Sequence, residues 1–471
     1  MRHIDTLHLQ KSFLVELSEF IGKTLGLYFP AEKWTELERG FFEIMRHFQY
    51  SNAKQCLEEL KKTPLTQTQI EILASCLTIG ETYFFREPAS FEALEKTILP
   101  ELIEAKRKRG NKTIRIWSAA CSTGEEAYTI AILLKKLLQD LSEWNITVLA
   151  TDINPYALKK VLNGIYGEWS FRVTDLETKK KYFNLLEKNK YEILPSLKRM
   201  VTVAHLNLAE DSYPSLLNNT TAMDIIFCKN LLMYFVPEQI NQTLHHLYHS
   251  LSDMGTLAVS AAEHSLLPRG LFKTVNFPET IFYKKPTGSN QAIFQENPIQ
   301  DIEKRLKESE EIIFLQPKNE AILDLPTENR KDLIETPQAE TETMESLKFN
   351  ARSLADQGKL DKALLLIEHA IATDSCNSEL HFLKSLIHQE QGAAEESILE
   401  LKKVIYLDPN FILAYYILGN LARNHGRQQE SKKYYSIVLS LLETHLPQTV
   451  IPCSEGITVL RMREIIQSFE P

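Results

Sequence analysis

Residues 113–130 read Thr-Ile-Arg-Ile-Trp-Ser-Ala-Ala-Cys-Ser-Thr-Gly-Glu-Glu-Ala-Tyr-Thr-Ile, and the organisation of the whole chain follows from them. They predict a short apolar strand over 114–117, a turn of small residues over 118–124, and an amphipathic helix from Glu125 through Leu138. Small side chains between a strand and a helix let a ligand approach the backbone, and the start of the helix offers unpaired N–H groups. The segment therefore predicts a nucleotide-type pocket at this turn.

A carboxylate at the end of the next predicted strand supports this pocket. Asp152 closes the apolar segment 146–152 and lies 26 residues after Glu126, about the interval at which doubly wound folds place a carboxylate on ribose hydroxyls. Gly124 is the only glycine of the turn, so the Gly-x-Gly-x-x-Gly pattern of nicotinamide dinucleotide sites is missing. These residues favour an S-adenosylmethionine site over a nicotinamide site.

Strands and helices alternate from residue 113 to about 285, which predicts a doubly wound, mostly parallel sheet. A less regular insert over 164–197 is expected to form a small subdomain. Ligands of such sheets lie beyond the carboxyl ends of the strands, where we expect four polar segments to converge. The predicted strands are 114–117, 147–150, 199–203, 223–227, 255–259 and 281–284, and the polar segments are 118–126, Asp152, 207–208 and 228–230.

The chain on either side of this sheet has a different composition. Residues 1–75 carry apolar residues at helical spacing, which predicts a small helical domain. Residues 286–342 contain five prolines and many Glu, Lys, Asn and Thr residues, which predicts a flexible acidic linker with a short helix near 302–313. The cofactor-binding domain is accordingly expected to span residues 76–285.

The last part of the chain, residues 343–471, contains a repeat. Gly358, Gly392 and Gly426 are spaced 34 residues apart. A period of 34 with small residues where two helices cross is typical of tetratricopeptide repeats (TPR), and we expect the apolar segment 457–466 to cap the last repeat. The same period links Ala363, Ser397 and Ser431, then Ala370, Val404 and Val438, and again Ala351, Ser385 and Gly419.

Length and composition exclude several classes of protein. At 471 residues the chain is too long for one core and should form two or three domains. A formal net charge of -9 argues against non-specific binding to nucleic acid. Neither an apolar run of about 18 residues nor an apolar signal core at the N-terminus is present, so we expect a cytoplasmic protein that does not insert into a membrane.

The cysteines and the one basic run suggest no further site. Six scattered cysteines without Cys-x-x-Cys spacing argue against structural zinc and against a disulfide framework, and we expect them to be reduced, small core residues. The basic run 106–109 precedes Gly110 at a predicted helix end, where cations complement the helix dipole. A contact with an acidic partner is the alternative for this run.

Four motifs, in this order along the chain, resemble the CheR family. Its members are chemotaxis receptor methyltransferases, which use S-adenosylmethionine to esterify glutamates on methyl-accepting receptors. The likeness covers residues 1 to about 285, and the TPR tail is similar to that of the branch from Wsp-type surface-sensing pathways. The motifs are Glu81-Thr-Tyr-Phe-Phe-Arg-Glu-Pro88, Trp117-Ser-Ala-Ala-Cys-Ser-Thr-Gly-Glu-Glu126, Ala150-Thr-Asp-Ile153 and Ile226-Phe-Cys-Lys-Asn-Leu-Leu-Met-Tyr-Phe235.

The resemblance implies a cofactor site without a metal and a pair of residues facing the reacting carboxylate, Arg86 and Tyr234. Three positions depart from the family. Lys229 stands where the family usually has Arg, Gly80 replaces a polar residue often seen there, and Ser260-Ala-Ala-Glu-His264 is a loose version of the usual Gly-His-Ser-Glu-Asn. By position, the residues lining the cofactor site would be Gly80, Thr82, Arg86, Glu126, Asp152, Asn207, Leu208, Lys229 and Asn230.

The resemblance also implies partners. The insert lacks the Gly-x-Gly-x-x-basic turn of members that grip a receptor's C-terminal pentapeptide, which predicts a pentapeptide-independent enzyme recruited to receptor arrays. The TPR domain is expected to dock an unidentified peptide or protein, or the catalytic domain itself, so that deleting residues 343–471 would leave methyl transfer intact. Cations offered to acidic receptor helices by the N-terminal domain would be Lys11, Lys23, Lys33, Arg39, Arg46, Lys54, Lys61 and Lys62.

Other interpretations of the same residues remain. The chain could be a small-molecule methyltransferase with a deep apolar acceptor pocket, or a non-catalytic TPR scaffold with a degenerate α/β domain. For single residues, Arg86 could form a surface ion pair with Glu81 or Glu87, Tyr234 could be a packed aromatic, and Asp152 could be a helix cap.

Overall fold

The structure, a computed structural model, describes residues 9–286 and 344–467, apart from Pro64, Ile79, Glu210, Arg269, Gln357 and Glu455. Most of the predicted linker, with its helix near 302–313, lies outside the described residues. The described part contains an N-terminal group of helices, a central sheet with a small inserted sheet, and a C-terminal helical array.

The N-terminal helices bury their apolar stripes against one another and against one face of the central sheet. Leu17, Ile21 and Phe41 are fully buried and share a core with Trp117 and Ile226 of the sheet. The predicted helical domain is confirmed, and it covers the sheet on this side. Its helices are α1 (Lys11–Leu25), α2 (Trp34–His47), α3 (Ala53–Lys62) and α4 (Gln67–Leu77).

The central sheet is mostly parallel, as predicted. The strands of the described chain are β1 (Thr113–Ala119), β2 (Asn145–Asp152), β3 (Ile165–Gly167), β4 (Phe183–Leu185), β5 (Lys190–Ile193), β6 (Val201–His205), β7 (Met223–Cys228), β8 (Leu251–Ala258), β9 (Lys273–Phe277) and β10 (Thr280–Lys284). Seven of them form one sheet in the order β6-β2-β1-β7-β8-β10-β9. Neighbours from β6 to β8 pair in parallel, and β10 and β9 pair antiparallel at one edge.

The chain reverses its direction of travel across the sheet between β1 and β7. It runs from β1 outward through β2 to β6, and then returns to the other side of β1 with β7 and β8. Ala119 pairs with Thr151 on one side and with Cys228 on the other, so three strand ends lie level at this edge. Ligands of open α/β sheets bind at such a switch point.

Helices complete the layers of this domain. Ile116 faces a core built with the helices on the second face of the sheet, whereas its neighbour Trp117 faces the N-terminal helices, as strand alternation requires. These helices are α5 (Pro88–Ala93), which continues through a π-helical turn at Leu94–Ile98 into α6 (Leu99–Lys108), then α7 (Glu125–Leu137), α8 (Pro155–Asn163), α9 (Leu176–Tyr182), α10 (Pro195–Lys198) and α11 (Pro237–Ser250).

The predicted insert is a separate three-stranded sheet in the order β3-β5-β4. An aromatic cluster fixes it to the first motif of the chain: the ring of buried Phe84 lies 4.9 Å from that of Tyr166, 5.0 Å from Phe171 and 4.9 Å from Phe183. This packing anchors the segment that carries Arg86.

The C-terminal array consists of helical hairpins with the predicted period. Gly358, Gly392 and Gly426 adopt φ of 72°, 76° and 74° at the hairpin turns, a left-handed conformation that glycine adopts without steric cost. The repeated small residues Ala351, Ala363 and Ser385 are fully buried where helices cross. The helices are α12 (Met344–Asp356), α13 (Leu360–Thr373), α14 (Ser378–Glu390), α15 (Ala394–Leu407), α16 (Ile412–Asn424), α17 (Gln428–Glu443) and α18 (Val459–Gln467), which caps the array.

The TPR array packs against the α/β domain. Leu216 and Leu217, in the loop before β7, join the apolar core of the array. A buried ion pair connects Arg115 of β1 with Glu390 at the end of α14, with Nη1 and Oε2 2.6 Å apart and side chains only 5% and 1% exposed. Docking of the array onto its own domain, one of the two predicted possibilities, is therefore present in the structure.

Three of the four cations in the basic run at the end of α6 form ion pairs within the chain. Lys106 pairs with Asp224 at 2.7 Å, Arg107 with Asp140 at 2.6 Å, and Lys108 with a glutamate of its own helix. These pairs agree with the structural interpretation of the run.

Some sequence-based details were wrong. The edge strand β9 was not predicted, because its residues are largely exposed and carry little apolar alternation. The cysteines are free, but Cys376 is exposed rather than a core residue, since it lies in the turn between α13 and α14.

Candidate functional site

A cleft of about 1160 Å³, measured with its open mouth, lies at the carboxyl edge of the sheet. It collects the segments that follow β1, β2, β6 and β7, which is the convergence expected of a doubly wound sheet. All the residues predicted for the site line it: Gly80, Thr82, Arg86, Glu126, Asp152, Asn207, Leu208, Lys229, Asn230 and Tyr234.

The turn after β1 is tightly curved. Ala120 and Ser122 have φ of 60° and 49°, which non-glycine residues rarely adopt, and Gly124 has φ of 90°. A Cβ at position 124 would come within 2.8 Å of the Val161 side chain, so α7 could not pack against α8 if this residue were larger. The small residues of the turn therefore serve the close approach of two helices as well as access to the backbone.

Asp152 holds this turn at the floor of the cleft. Its carboxylate accepts hydrogen bonds from the Ser122 amide at 2.7 Å and the Asn154 amide at 2.8 Å. Burial raises its pKa, against the effect of these amide donors. The helix-cap interpretation is not supported, because the cap of α8 is Asn154, whose side chain accepts from Tyr156 and Ala157.

Glu126 is the second buried carboxylate of the cleft. Ser118 donates its hydroxyl to Glu126 Oε1 at 2.7 Å, and burial raises the pKa of Glu126 while Lys229 opposes that rise. Lys229 itself donates to the Ser90 hydroxyl at 2.8 Å and lies 3.3 Å from the Glu87 carboxylate. The lysine that departs from the family pattern thus keeps a cation in the wall of the cleft and ties β7 to α5.

The backbone on both sides of Arg86 has an unusual conformation. Its neighbours Phe85 and Glu87 both have left-handed φ, 59° and 60°. In the described chain the carboxylates of Glu81 and Glu87 pair with Arg172 and Lys229, and Arg86 donates instead to the Glu81 carbonyl. The surface ion pairs considered as an alternative for Arg86 are therefore not formed, and its guanidinium remains part of the cleft lining.

Tyr234 belongs to the same lining and is only partly buried. Burial raises its pKa, so the hydroxyl stays protonated and is a donor at neutral pH. The Lys33 ammonium lies 3.7 Å from the centre of its ring, and burial lowers the pKa of Lys33. Tyr234 is thus both packed and accessible, and a residue of the N-terminal domain reaches the site through it.

Glu263 is a buried residue of the site that the sequence analysis did not assign. It accepts from the amides of Asn230 at 2.8 Å and Leu231 at 2.7 Å, and from the amide and hydroxyl of Ser260. These bonds hold Asn230 in its left-handed conformation, with φ of 58°. The sequence feature that could have identified it is the Glu within the loose Ser260–His264 motif. The role of this Glu is to shape the turn after β7.

The lining suits an adenosyl cofactor by its chemistry. The two backbone amides that bind Asp152 leave further lone pairs on its carboxylate for ribose hydroxyls, since a carboxylate has roughly four acceptor sites. The amides of Asn207 and Asn230 add donors and acceptors, and apolar walls for a base come from Ile153, Leu206, Leu208 and Leu231.

Among the described residues, no group of three or more His, Cys, Asp or Glu side chains is arranged to hold a metal ion. None of the helices in 9–286 and 344–467 is long and apolar enough to cross a membrane.

The fold and the site define a Rossmann-like methyltransferase domain that uses S-adenosylmethionine, and comparison with known proteins agrees. Residues 80–281 match the family described as CheR methyltransferase, SAM binding domain. The chain is 31% identical over 245 residues to the "Chemotaxis protein methyltransferase" of Borreliella burgdorferi, covering 52% of this chain and 84% of that protein. It is 32% identical over 253 residues to "Chemotaxis protein methyltransferase 1" of Pseudomonas aeruginosa, covering 52% and 87%.

The chain therefore belongs to the CheR family of chemotaxis methyltransferases, and it carries a TPR domain. The "Probable biofilm formation methyltransferase WspC" of Pseudomonas aeruginosa is 25% identical over 362 residues, covering 76% of this chain and 83% of that protein. That likeness extends past the catalytic domain, in agreement with the Wsp-type branch. The solved structure of MamA covers 22% of this chain and 61% of that chain at 22% identity, with a TM-score of 0.21, too low to carry an argument.

Proposed function

We propose that this protein is a glutamate O-methyltransferase that esterifies side chains on the cytoplasmic helices of chemotaxis-type receptors. The observation that carries the proposal is a guanidinium, Arg86, and a protonated phenol, Tyr234, lining the same cleft as the buried carboxylates Glu126 and Asp152. Cationic and neutral donors would face an anionic acceptor, and the carboxylates would hold the cofactor.

S-Adenosylmethionine, when bound, supplies an electrophilic methyl group on a sulfonium sulfur and leaves S-adenosylhomocysteine as the product. Asp152 would accept from the ribose, Glu126 would bind near the methionine or ribose end, and Asn207 and Leu208 would contact the rest of the nucleoside. Gly80, Thr82, Lys229 and Asn230, which line the same cleft, complete the proposed cofactor site.

The acceptor chemistry requires alignment rather than proton transfer. A glutamate carboxylate is ionised at pH 7, so the site needs no general base. Arg86 would hold one carboxylate oxygen by a charge-assisted hydrogen bond while Tyr234 donates a second bond. Positioning of this kind lowers the activation barrier by roughly 7–11 kcal/mol at best. A site that only orients the acceptor and the methyl group can therefore be catalytic.

The receptor helix would bind across the mouth of the cleft. Lys33 contacts Tyr234, and Arg172 pairs with Glu81, with its guanidinium 3.5 Å from the Tyr83 ring centre. Both cations contact a residue that lines the cleft, and their positive charges suit an acidic helix. Lys61 and Lys62, named by the sequence analysis, pair with Glu16 and Glu59 of the N-terminal domain and, in the part of the chain that the structure describes, contact no residue of the cleft lining.

We also propose that recognition is independent of a receptor C-terminal pentapeptide, and that the enzyme is recruited to receptor arrays while the TPR domain engages a further peptide or protein. Removing the last five residues of a receptor fragment should leave its methylation rate unchanged. A strong loss of rate with the shortened fragment would contradict this part of the proposal.

The experiment that tests the function is transfer of tritiated methyl from the cofactor to receptor cytoplasmic fragments from the same cell. Base-labile label on the receptor marks a carboxyl ester and is the expected result. Label only on small molecules would instead indicate a small-molecule methyltransferase. Failure of the protein to bind S-adenosylhomocysteine in calorimetry would leave only a TPR scaffold.

A further inference from the structure

The cap helix of the TPR array reaches toward the cofactor cleft through one side chain. Nη2 of Arg461, in α18, lies 3.1 Å from Asp211 Oδ2 and 3.2 Å from His205 Nδ1. Glu464, on the next turn of the same helix, forms an ion pair with the guanidinium, with Oε2 3.5 Å from Nη1. Each residue that Arg461 contacts across the domain boundary in turn binds a residue of the cleft lining.

The first connection runs through Asp211 to Asn207. Asp211 Oδ2 accepts from the Asn207 amide at 2.6 Å, and the Asp211 amide donates to the Asn207 carbonyl at 2.9 Å. The loop after β6 is thereby closed on itself, with Asn207 at the cleft and Asp211 at the TPR cap. Arg461 pairs with the Asp211 carboxylate. The carboxylate can therefore accept from the Asn207 amide without being left unpaired in a partly buried position.

The second connection runs through His205 to Ile153. His205 Nε2 lies 2.9 Å from the Ile153 carbonyl. Burial, followed by the nearby Arg461 charge, lowers the pKa of His205 to about 4, so the ring is neutral near pH 7. Because Arg461 can only donate, Nδ1 is the acceptor and Nε2–H donates to the carbonyl of Ile153, the residue after Asp152.

We propose that Arg461 is a positioning residue for the cofactor site, so that the TPR cap is part of the machinery that binds S-adenosylmethionine. Through its hydrogen bonds to Asp211 and His205 it fixes the ends of β6 and β2. Asn207 and Asp152 lie at these ends. The proposal rests on the cofactor assignment made above. It also implies that deletion of residues 343–471 weakens cofactor binding, contrary to the expectation that methyl transfer would remain intact.

Docking of the array does not depend on Arg461 alone. The buried pair of Arg115 and Glu390 and the burial of Leu216 and Leu217 hold the two domains together at other points. Loss of the Arg461 side chain, which is 23% exposed, should therefore leave the array in place and affect the cleft specifically.

The test uses the full chain and titrates S-adenosylhomocysteine by calorimetry into the wild type, Arg461→Ala, Arg461→Lys and Arg463→Ala. Arg463 is the matched control, because it lies on the same helix and donates to the Leu442 carbonyl within the array. Arg461→Ala should weaken binding about 5- to 20-fold, at the lower end of couplings between separate sites, and Arg461→Lys should recover part of the loss. Arg463→Ala should bind like the wild type.

Steady-state kinetics separates positioning from catalysis. Arg461→Ala should raise KM for the cofactor and leave kcat at saturating cofactor unchanged. Asp211→Asn should weaken binding as well, and the double variant with Arg461→Ala should be no worse than the stronger single effect, since both act on Asn207. Additive losses would overturn the connection through Asp211.

Hydrogen exchange of the free protein gives a readout that needs no ligand. Peptides covering 203–211 should exchange faster in Arg461→Ala than in the wild type or Arg463→Ala. If the wild type binds S-adenosylhomocysteine and Arg461→Ala matches it in affinity and exchange, the inference is wrong. If the wild type does not bind, the cofactor assignment fails, and unchanged exchange in Arg461→Ala would separately disprove the positioning role.

Discussion

Buried acids lie at both ends of the central strands, in two different settings. At the carboxyl edge, Asp152 and Glu126 bind backbone amides and a hydroxyl and still face a cleft. Toward the other end of the sheet, Glu390 of the TPR array meets Arg115 of β1, and this guanidinium also donates to the carbonyls of Asn219 and Thr221.

The difference shows how a carboxylate acquires a role. Asp152 and Glu126 are held by amides and a hydroxyl of their own domain and line the cofactor cleft, whereas Glu390 pairs with a guanidinium across a domain boundary and forms a structural contact. Burial raises the pKa in all three cases, and it raises that of Glu390 to about 7. A raised pKa alone therefore does not distinguish the functional acids from the structural one, and the geometry of the partners does.

The largest effect is expected from Arg86→Ala. Removing a donor aimed at the reacting group typically lowers a rate by about 100- to 1000-fold, and we expect that loss in receptor methylation. Arg86→Lys should recover little, because it keeps the charge and loses the planar fork. The measurement is tritium transfer at saturating cofactor, with thermal unfolding as the control for folding. Methylation near the wild-type rate would remove Arg86 from the reaction.

The comparison of the two ends is sharpened by Asp152→Asn and Glu390→Gln. The first substitution removes a charged acceptor from the cleft and should weaken binding of S-adenosylhomocysteine about 10- to 100-fold, the value of one charge-assisted hydrogen bond. The second should change affinity less than about twofold, because Glu390 contacts no residue of the cleft lining. Calorimetry measures both, and equal losses would mean that the two acids do not differ in their role.

The last effect concerns stability and its dependence on pH. Burial raises the pKa of Glu390 from its ordinary 4.5 to about 7, so between these values the folded protein binds more protons than the unfolded chain. The contribution of this group to stability is therefore fully present below pH 4.5 and is lost as pH rises through 7. We expect a loss of about 3 kcal/mol of unfolding free energy across this range.

Thermal unfolding from pH 5 to 8 measures that effect by difference. The wild type should lose stability more steeply with rising pH than Glu390→Gln, whose side chain does not titrate. Glu126 and Asp152 have the same sign of shift and remain in both proteins, so they cancel. Parallel curves for the two proteins would mean that Arg115 keeps Glu390 ionised throughout.

Much of the candidate site could be predicted because its residues follow the ends of strands. A parallel sheet brings those ends to one edge, so Asp152, Asn207 and Lys229 could be placed together without knowledge of any side-chain contact. Edges were harder to predict, as β9 shows, since an exposed edge strand lacks the apolar alternation that marks a buried one. Glu263 was missed as a site residue because its partners, Asn230 and Leu231, are more than thirty positions away.

The sequence by itself determined the local structure of this protein: the small-residue turn after β1, the alternation of strands and helices, and hairpins that turn at a glycine every 34 residues. These features depend on backbone preference and apolar periodicity, which neighbouring residues encode. Only the tertiary structure decided that Glu390 meets Arg115 and that Arg461 meets Asp211 and His205. Such pairs depend on how one rigid domain packs on another, and no local spacing of residues records that.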